Sequence, residues 1–291
     1  MTPTRGYRVF QAANGVVLTL VVVVTLFPFV NILSRSFSGE HAIRSGQVTL
    51  WPRGFNLTTY HRVMSDSLFW TNYRNTVVYT VVATAISIVL TTCYAYVLSK
   101  KHLKGRGLLV GIAVLTMFFN GGLIPNYVLV SSLGLRNTLW AIVLPNAISV
   151  FNLLVMKAFF ESLPPELEEA AAVDGLGTYG TLWRIVLPLS KAVIATMILF
   201  YSVAYWNDWF TAFLYLDEDN LFPLSLFLRN LIAGATTTTA ASAAAAGTTS
   251  AAISANIQAV TMILAILPIL CVYPFVQRHF VSGVMLGSVK G

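Results

Sequence analysis

Six apolar runs, each about the length needed to cross a hydrocarbon layer, constrain this chain more than any other feature. They extend from about Gly15 to Leu33, Asn75 to Leu98, Leu108 to Val130, Leu139 to Phe160, Ala192 to Tyr215 and Ile257 to Phe280. A helix needs about 20 apolar residues to span a bilayer, and a barrel strand only about 10, so runs of this length predict helices. Composition agrees. Charged residues make up 10% of the chain, against about 25% in a soluble domain, and mean hydropathy is +0.74. The expectation is an all-α membrane protein with about six transmembrane helices. It forms one domain over residues 1–291, with its core at about 75–280 and no soluble second domain. No small-residue cleavage site follows the first run, so that run is expected to stay as a helix and not to act as a signal peptide.

Several runs carry breaks. Asn120-Gly121-Gly122 and Pro125 interrupt the third, and Pro145-Asn146 interrupts the fourth. Broken helices at membrane depth require neighbours or a cavity to satisfy the freed backbone groups. Cys93 and Cys271, the only cysteines, lie inside apolar runs and read as small core residues, not as a disulfide framework. Trp51, Tyr60, Trp70 and Tyr73 read as interfacial aromatics around a turn at Trp51-Pro52-Arg53-Gly54. A connector at 217–256, expected on the extracytoplasmic side, becomes rich in Ala, Thr and Ser from Ala233 onward, and composition does not decide between a frayed helix and a disordered tract.

Charge orients the spans. Net charge is +7 from 18 basic and 11 acidic residues. The basic residues are not interleaved with aromatics on a soluble face, so nucleic acid is not the expected partner. With the N-terminus inside, Arg5, Arg8, Lys100, Lys101, Lys104, Arg106, Lys157, Arg184, Lys191, Arg278 and Lys290 are cytoplasmic, and the other seven basic residues are outside. Among short loops, four basic residues at Lys100–Arg106 face only Arg136 in the next turn, which is the positive-inside pattern. Both termini are therefore expected in the cytoplasm.

The same topology puts residues 161–191 in the cytoplasm, and they are unlike the rest. Glu161, Glu166, Glu168, Glu169 and Asp174 gather there after Pro164-Pro165. Proline opens a helix without losing a bond, and acids suit its first turns. Ala170-Ala171-Ala172 favours helix, and Gly175 ends it as the residue with positive φ. A second short helix is expected from Thr178 to Val186. The bland alternative is a surface loop that merely caps two spans.

The spacing Glu169-Ala170-Ala171, Gly175, Ile185-Val186-Leu187-Pro188 resembles the EAA loop of permease subunits of ATP-binding-cassette importers. Other segments resemble the carbohydrate branch of that family, and most its LplC/YtcP-type subunits. These are Phe119 to Tyr127, Leu133-Gly134-Leu135, Trp140 to Pro145, Tyr273 to Gln277 and Gly283 to Gly291. The resemblance runs from about Thr2 to Gly291 and is weakest from Ala233 to Ala252. It implies a type I importer permease fold with a cytoplasmic coupling loop. It implies a second permease subunit in a heterodimer, two ATPase subunits, an extracytoplasmic sugar-binding protein and an oligosaccharide substrate in the cytoplasmic membrane. Glu169, Ala170, Ala171, Asp174, Gly175, Ile185, Leu187 and Pro188 are then the coupling residues. No G-x-x-x-x-G-K-[ST] loop occurs, so this chain is expected to bind no cofactor; ATP and Mg belong to the partner ATPase.

Polar groups inside spans are expensive unless they line a cavity or pair between helices. Asn120 and Asn126, with the cluster Trp206-Asn207-Asp208-Trp209, are the candidate substrate-pathway residues, since aromatic faces and amides suit sugar rings and hydroxyls. Helix-to-helix hydrogen bonding, or an aromatic belt if the cluster is nearer the interface, is the more ordinary explanation of the same residues. The four histidines have no metal-ligand spacing. A stand-alone secondary transporter or channel would carry an internal repeat and paired ionisable groups, and an intramembrane protease would carry H-E-x-x-H or a Ser/His pair; neither pattern occurs.

Overall fold

The structure, a computed structural model, describes residues 5–241 and 255–271. Among the described residues every regular element is helical. The chain divides into two compact units, Met1–Phe69 with Leu228–Leu267, and Trp70–Phe227 with Pro268–Gly291.

In the first unit, α1 (Arg5–Ser36) is a continuous 32-residue helix despite Pro28. Its apolar side chains from Val9 onward stay exposed, as a lipid-facing helix requires. Asn31 Nδ2 donates to Thr49 O at 2.8 Å and Ser34 Oγ to Leu50 O at 2.6 Å, tying the end of α1 to the following loop. Phe37 stacks on Phe55 and Tyr60.

The second unit is built around α2 (Ser67–Ser99). This helix begins eight residues before the apolar run does, so Trp70 and Tyr73 lie on it and not in the preceding loop. Thr76, Thr80, Thr84, Ser87 and Thr91 recur every three or four residues and form one buried polar stripe. In lipid, tails are as apolar as leucine, so close packing and interhelical hydrogen bonds hold helices together. The Ser87–Thr91 end of the stripe serves that role, whereas the Thr80 and Thr84 hydroxyls are buried without a hydrogen-bond partner among the described residues. Ser87 Oγ lies 3.0 Å from Tyr205 Oη, and Thr91 Oγ1 2.7 Å from Tyr201 Oη.

The third run is not one rod. α3 (Arg106–Phe118) and α4 (Leu123–Ser132) meet at 111°. Gly122 has φ +90°, a conformation that side chains resist, and its N–H donates to Asn120 Oδ1 at 3.0 Å. Asn126 Nδ2 donates to the same oxygen at 3.1 Å. The fourth run is α5 (Leu139–Val143) and α6 (Val150–Glu161), separated around Pro145. The freed groups find partners: Tyr201 Oη accepts from Ser149 N–H at 3.0 Å, and Tyr205 Oη donates to Asn146 O at 2.9 Å.

After α7 (Glu166–Val173) the chain turns into Thr178–Leu189, which bends by 83° into α8 (Lys191–Asn207). The turn widens to a π-helix at Leu182–Val186, just before Pro188. Proline has no N–H to give the carbonyl four residues back and crowds it, and a wider turn relieves both. The last described elements are α9 (Phe210–Tyr215), α10 (Leu224–Ala241) and α11 (Ala255–Cys271). Leu98, Leu153, Met156, Val186 and Met197 belong to one buried hydrophobic core.

Two helices are long and apolar enough to cross a membrane, or up to four if each bent pair is one span, among the described residues. The difference from six straight spans has a physical cause. Pro145 splits the fourth run into pieces too short to count, and only part of the sixth lies within the described residues. The Ala/Thr tract is helical as far as Ala241; its remainder, and the tail motifs from Tyr273, lie outside the described residues. Cys93 and Cys271 are exposed, not core. An apolar run in a membrane has an outward face that lipid covers, so apolarity alone does not place a thiol in the core.

Candidate functional site

Two regions bring the candidate residues together. The first is the loop at 161–191. In α7 the acids Glu166, Glu168 and Glu169 occupy the first turn. The helix stops in a Schellman motif: Leu176 N–H donates to Ala171 O at 2.9 Å, Gly175 N–H to Ala172 O at 3.1 Å, and Gly175 has φ +75°. Ala171 is buried against its own chain, while Glu169, Ala170, Asp174 and Gly175 are exposed. Beyond the corner, Leu182 and Val186 sink into the core with Leu187 packed beside them. Ile185 is half-buried and Pro188 exposed. The second half of the loop is thus anchored, and the first half projects. Its surface is apolar as well as acidic: Val173 is 88%, Tyr179 81% and Trp183 69% exposed.

Ion pairs hold the base of this loop. Glu161 pairs with Arg106 and, at 2.9 Å, with Lys157; Glu168 pairs with Lys100. Lys100 Nζ also sits 3.8 Å from the centre of the Tyr96 ring, and Arg106 Nε donates to Leu98 O at 2.7 Å. The basic segment at Lys100–Arg106 therefore clamps two acids of the loop. Sequence reasoning used those bases only for orientation and missed the clamp; the opposite signs of two loops expected on one side were the available signal. Glu169 and Asp174 make no ion pair among the described residues.

The second region is an open groove of about 1180 Å³ in the second unit. Trp206, Asn207 and Asp208, at the C-terminus of α8, line it, as do Asn146 and Thr211. Trp206 meets Tyr73 edge-on at 6.1 Å, which fixes its ring. Asn207 Nδ2 donates to Val203 O at 2.8 Å, Asn146 Nδ2 to Thr211 Oγ1 at 3.2 Å, and Asp208 Oδ1 accepts from Thr211 N–H at 3.1 Å. Trp209 does not line the groove and packs on Phe210 and Phe213. Asn120 and Asn126 lie at the α3–α4 break, where they bond to one another. Tyr201 and Tyr205 were not singled out from sequence, because a tyrosine in an apolar run looks like any other aromatic until its hydroxyl is placed.

Residues 107–285 match the family of binding-protein-dependent transport system inner membrane components. This chain belongs to that family. Protein LplC of Bacillus subtilis (strain 168) is 42% identical over 293 residues, which cover 100% of this chain and 98% of that protein. The polygalacturonan/rhamnogalacturonan transport system permease protein YtcP of the same organism is 38% identical, over 98% of this chain and 99% of that one. A chain from the crystal structure of a bacterial ABC transporter involved in the import of the acidic polysaccharide alginate superposes with a TM-score of 0.86 at 32% identity. That match covers 96% of this chain and 99% of the other. The fold is that of a type I importer permease. As an inner membrane component of such a system, this permease is a membrane subunit whose role is transport and not catalysis, and the loop at 161–191 and the groove residues Asn146, Trp206, Asn207, Asp208 and Thr211 fall inside the matched residues.

Proposed function

We propose that this permease forms half of the translocation pathway of an ATP-driven oligosaccharide importer, as one permease domain. Its partner would be a second permease subunit. Two cytoplasmic ATPase subunits would supply ATP and Mg, and an extracytoplasmic binding protein would deliver the glycan. The observation that carries the reading is the projecting corner at Val173–Gly175. An acidic helix ends there in a rigid turn, next to exposed Tyr179 and Trp183. Exposed aromatics beside acids suit a partner groove with basic walls. Because the far half of the loop is anchored in the core, a push on α7 would be transmitted to α8 and to the groove it lines, a rigid-body transition. Glycan as cargo is supported by the names of the relatives and by the aromatic and amide lining of the groove.

In this reading both termini and the loop are cytoplasmic. A Val173→Cys variant, with Cys93 and Cys271 replaced by serine, is expected to react with a membrane-impermeant maleimide in inside-out vesicles and not in intact cells. Reaction in intact cells reverses the topology.

The permease purified without ATPase subunits is expected to show only background ATP turnover, and co-expression with the ATPase should restore turnover that responds to the loaded binding protein. Nucleotide-specific turnover by this chain alone, or a permease that never retains an ATPase, sinks the importer reading.

A further inference from the structure

The geometry points to a glycan-selecting role for Asp208: the groove admits an uncharged glycan segment and rejects uronates, the carboxylated sugars. The inference rests on the importer reading above and narrows its cargo. The groove is mostly apolar, with Phe151, Phe200 and Trp206 among its walls. Such surfaces suit the C–H faces of sugar rings. Its charge is one-sided. Asp208 is a carboxylate, and no Lys, Arg or His is among the described residues that line the groove.

Two of its amides each already use one donor inside the protein. Asn146 Nδ2 already donates to Thr211, and Asn207 Nδ2 to Val203 O. Asp208 Oδ1 accepts from Thr211 N–H, and its second oxygen has no hydrogen-bond partner among the described residues. That oxygen is an acceptor for a sugar hydroxyl. A uronate carboxylate would meet a like charge and no cation while losing its water, a combination that disfavours entry. One relative is named for polygalacturonan/rhamnogalacturonan transport, and a solved neighbour is involved in the import of the acidic polysaccharide alginate. The groove here carries the wrong sign for such cargo.

Matched glycan pairs test this, with binding to the complete permease–ATPase complex in lipid nanodiscs measured by equilibrium dialysis at low ionic strength. The probes are α-1,4-galactotetraose with tetragalacturonate, and β-1,4-mannotetraose with tetramannuronate, so that each pair differs only at C6. The neutral member of at least one pair is expected to bind roughly tenfold or more tighter than its uronate, since like-charge juxtaposition is strongly unfavourable in a partly desolvated site. Asp208→Asn keeps the Oδ1 cap on Thr211 and should raise uronate affinity about tenfold while moving the neutral glycan less than about threefold, because only charge is removed. Asn207→Lys, at an exposed position beside Asp208, should shift the preference toward the uronate. Equal or tighter uronate binding by the unmodified complex overturns the inference. So does a preference unchanged in both variants, or no binding of any probe. ATPase retention in the same preparations reports separately on the importer reading: a complex that holds its ATPase but prefers uronates sinks only the role of Asp208.

Discussion

Gly175→Val is expected to give a permease that inserts normally but loses its ATPase. Gly175 has φ +75°, and a Cβ built there meets nothing within 4 Å in its own chain. The substitution therefore creates no internal clash. It costs the corner about 1–2 kcal/mol of left-handed backbone strain, and it puts a branched side chain on the exposed outer surface of the turn. The strain falls on the Schellman bonds from Leu176 to Ala171 and from Gly175 to Ala172, which set the angle between α7 and the anchored half of the loop. The core of Leu98, Leu153, Met156 and Met197 does not include the corner, so the helices should still pack. ATPase co-purifying with the permease should fall roughly tenfold, the factor that 1.4 kcal/mol makes in an equilibrium constant, and transport-coupled turnover should fall with it. Gly175→Ala, with the strain but little bulk, should lie between. Unchanged co-purification and turnover in Gly175→Val would reduce the loop to a structural cap.

Tyr201→Phe is expected to be the most damaging loss of a single oxygen atom in the second unit. The hydroxyl accepts from Ser149 N–H at 3.0 Å and lies 2.7 Å from Thr91 Oγ1. Phenylalanine fills the same volume, so no cavity term enters. It leaves a backbone donor without a partner at the α5–α6 break, which costs about 1–3 kcal/mol. Thr91→Val removes only the side-chain contact, worth about 0.6 kcal/mol on average between membrane helices. The larger cost should therefore belong to Tyr201, although both variants break the same hydroxyl pair. The break also carries Asn146, which lines the groove, so Tyr201→Phe should lower glycan transport as well as stability. Unfolding titrations in mixed micelles give both costs. A Thr91→Val loss equal to or above that of Tyr201→Phe would mean that Ser149 finds another partner and the tyrosine is not what holds the break.

Much of this was legible in the order of residues, for local reasons. Helix is forced where about 20 apolar residues run together, because backbone groups in lipid must pair within the segment. The corner at Gly175 was legible because a Pro-Pro start, acids in a first turn, three alanines and a glycine each favour one step of one short helix. The breaks at Gly122 and Pro145 were legible from residues that cannot continue a helix. The boundaries were not: α2 starts at Ser67 because polar residues complete its first turns once the helix has nucleated, which hydropathy does not register.

What depends on distance in space was decided only by the tertiary structure. The sequence put a basic and an acidic loop on one side but did not say which charges meet: Lys100 pairs with Glu168, 68 positions away, and Arg106 with Glu161. Both pairs form because α2, α3 and α6 end at the same place. The sequence offered Trp206, Asn207, Asp208 and Trp209 as one cluster, and the end of α8 at Asn207 sends three of them to the groove and Trp209 onto α9. Hydropathy also treated Cys93 like its buried neighbours, although helix rotation turns it outward. By itself, then, the sequence determined that the chain is a helical membrane protein and where the corner at Gly175 falls, because each of these follows from neighbours along the chain. Which helix face turns inward, which hydroxyl satisfies which broken backbone and which charges meet are set by packing between distant segments, and only the folded chain decides them.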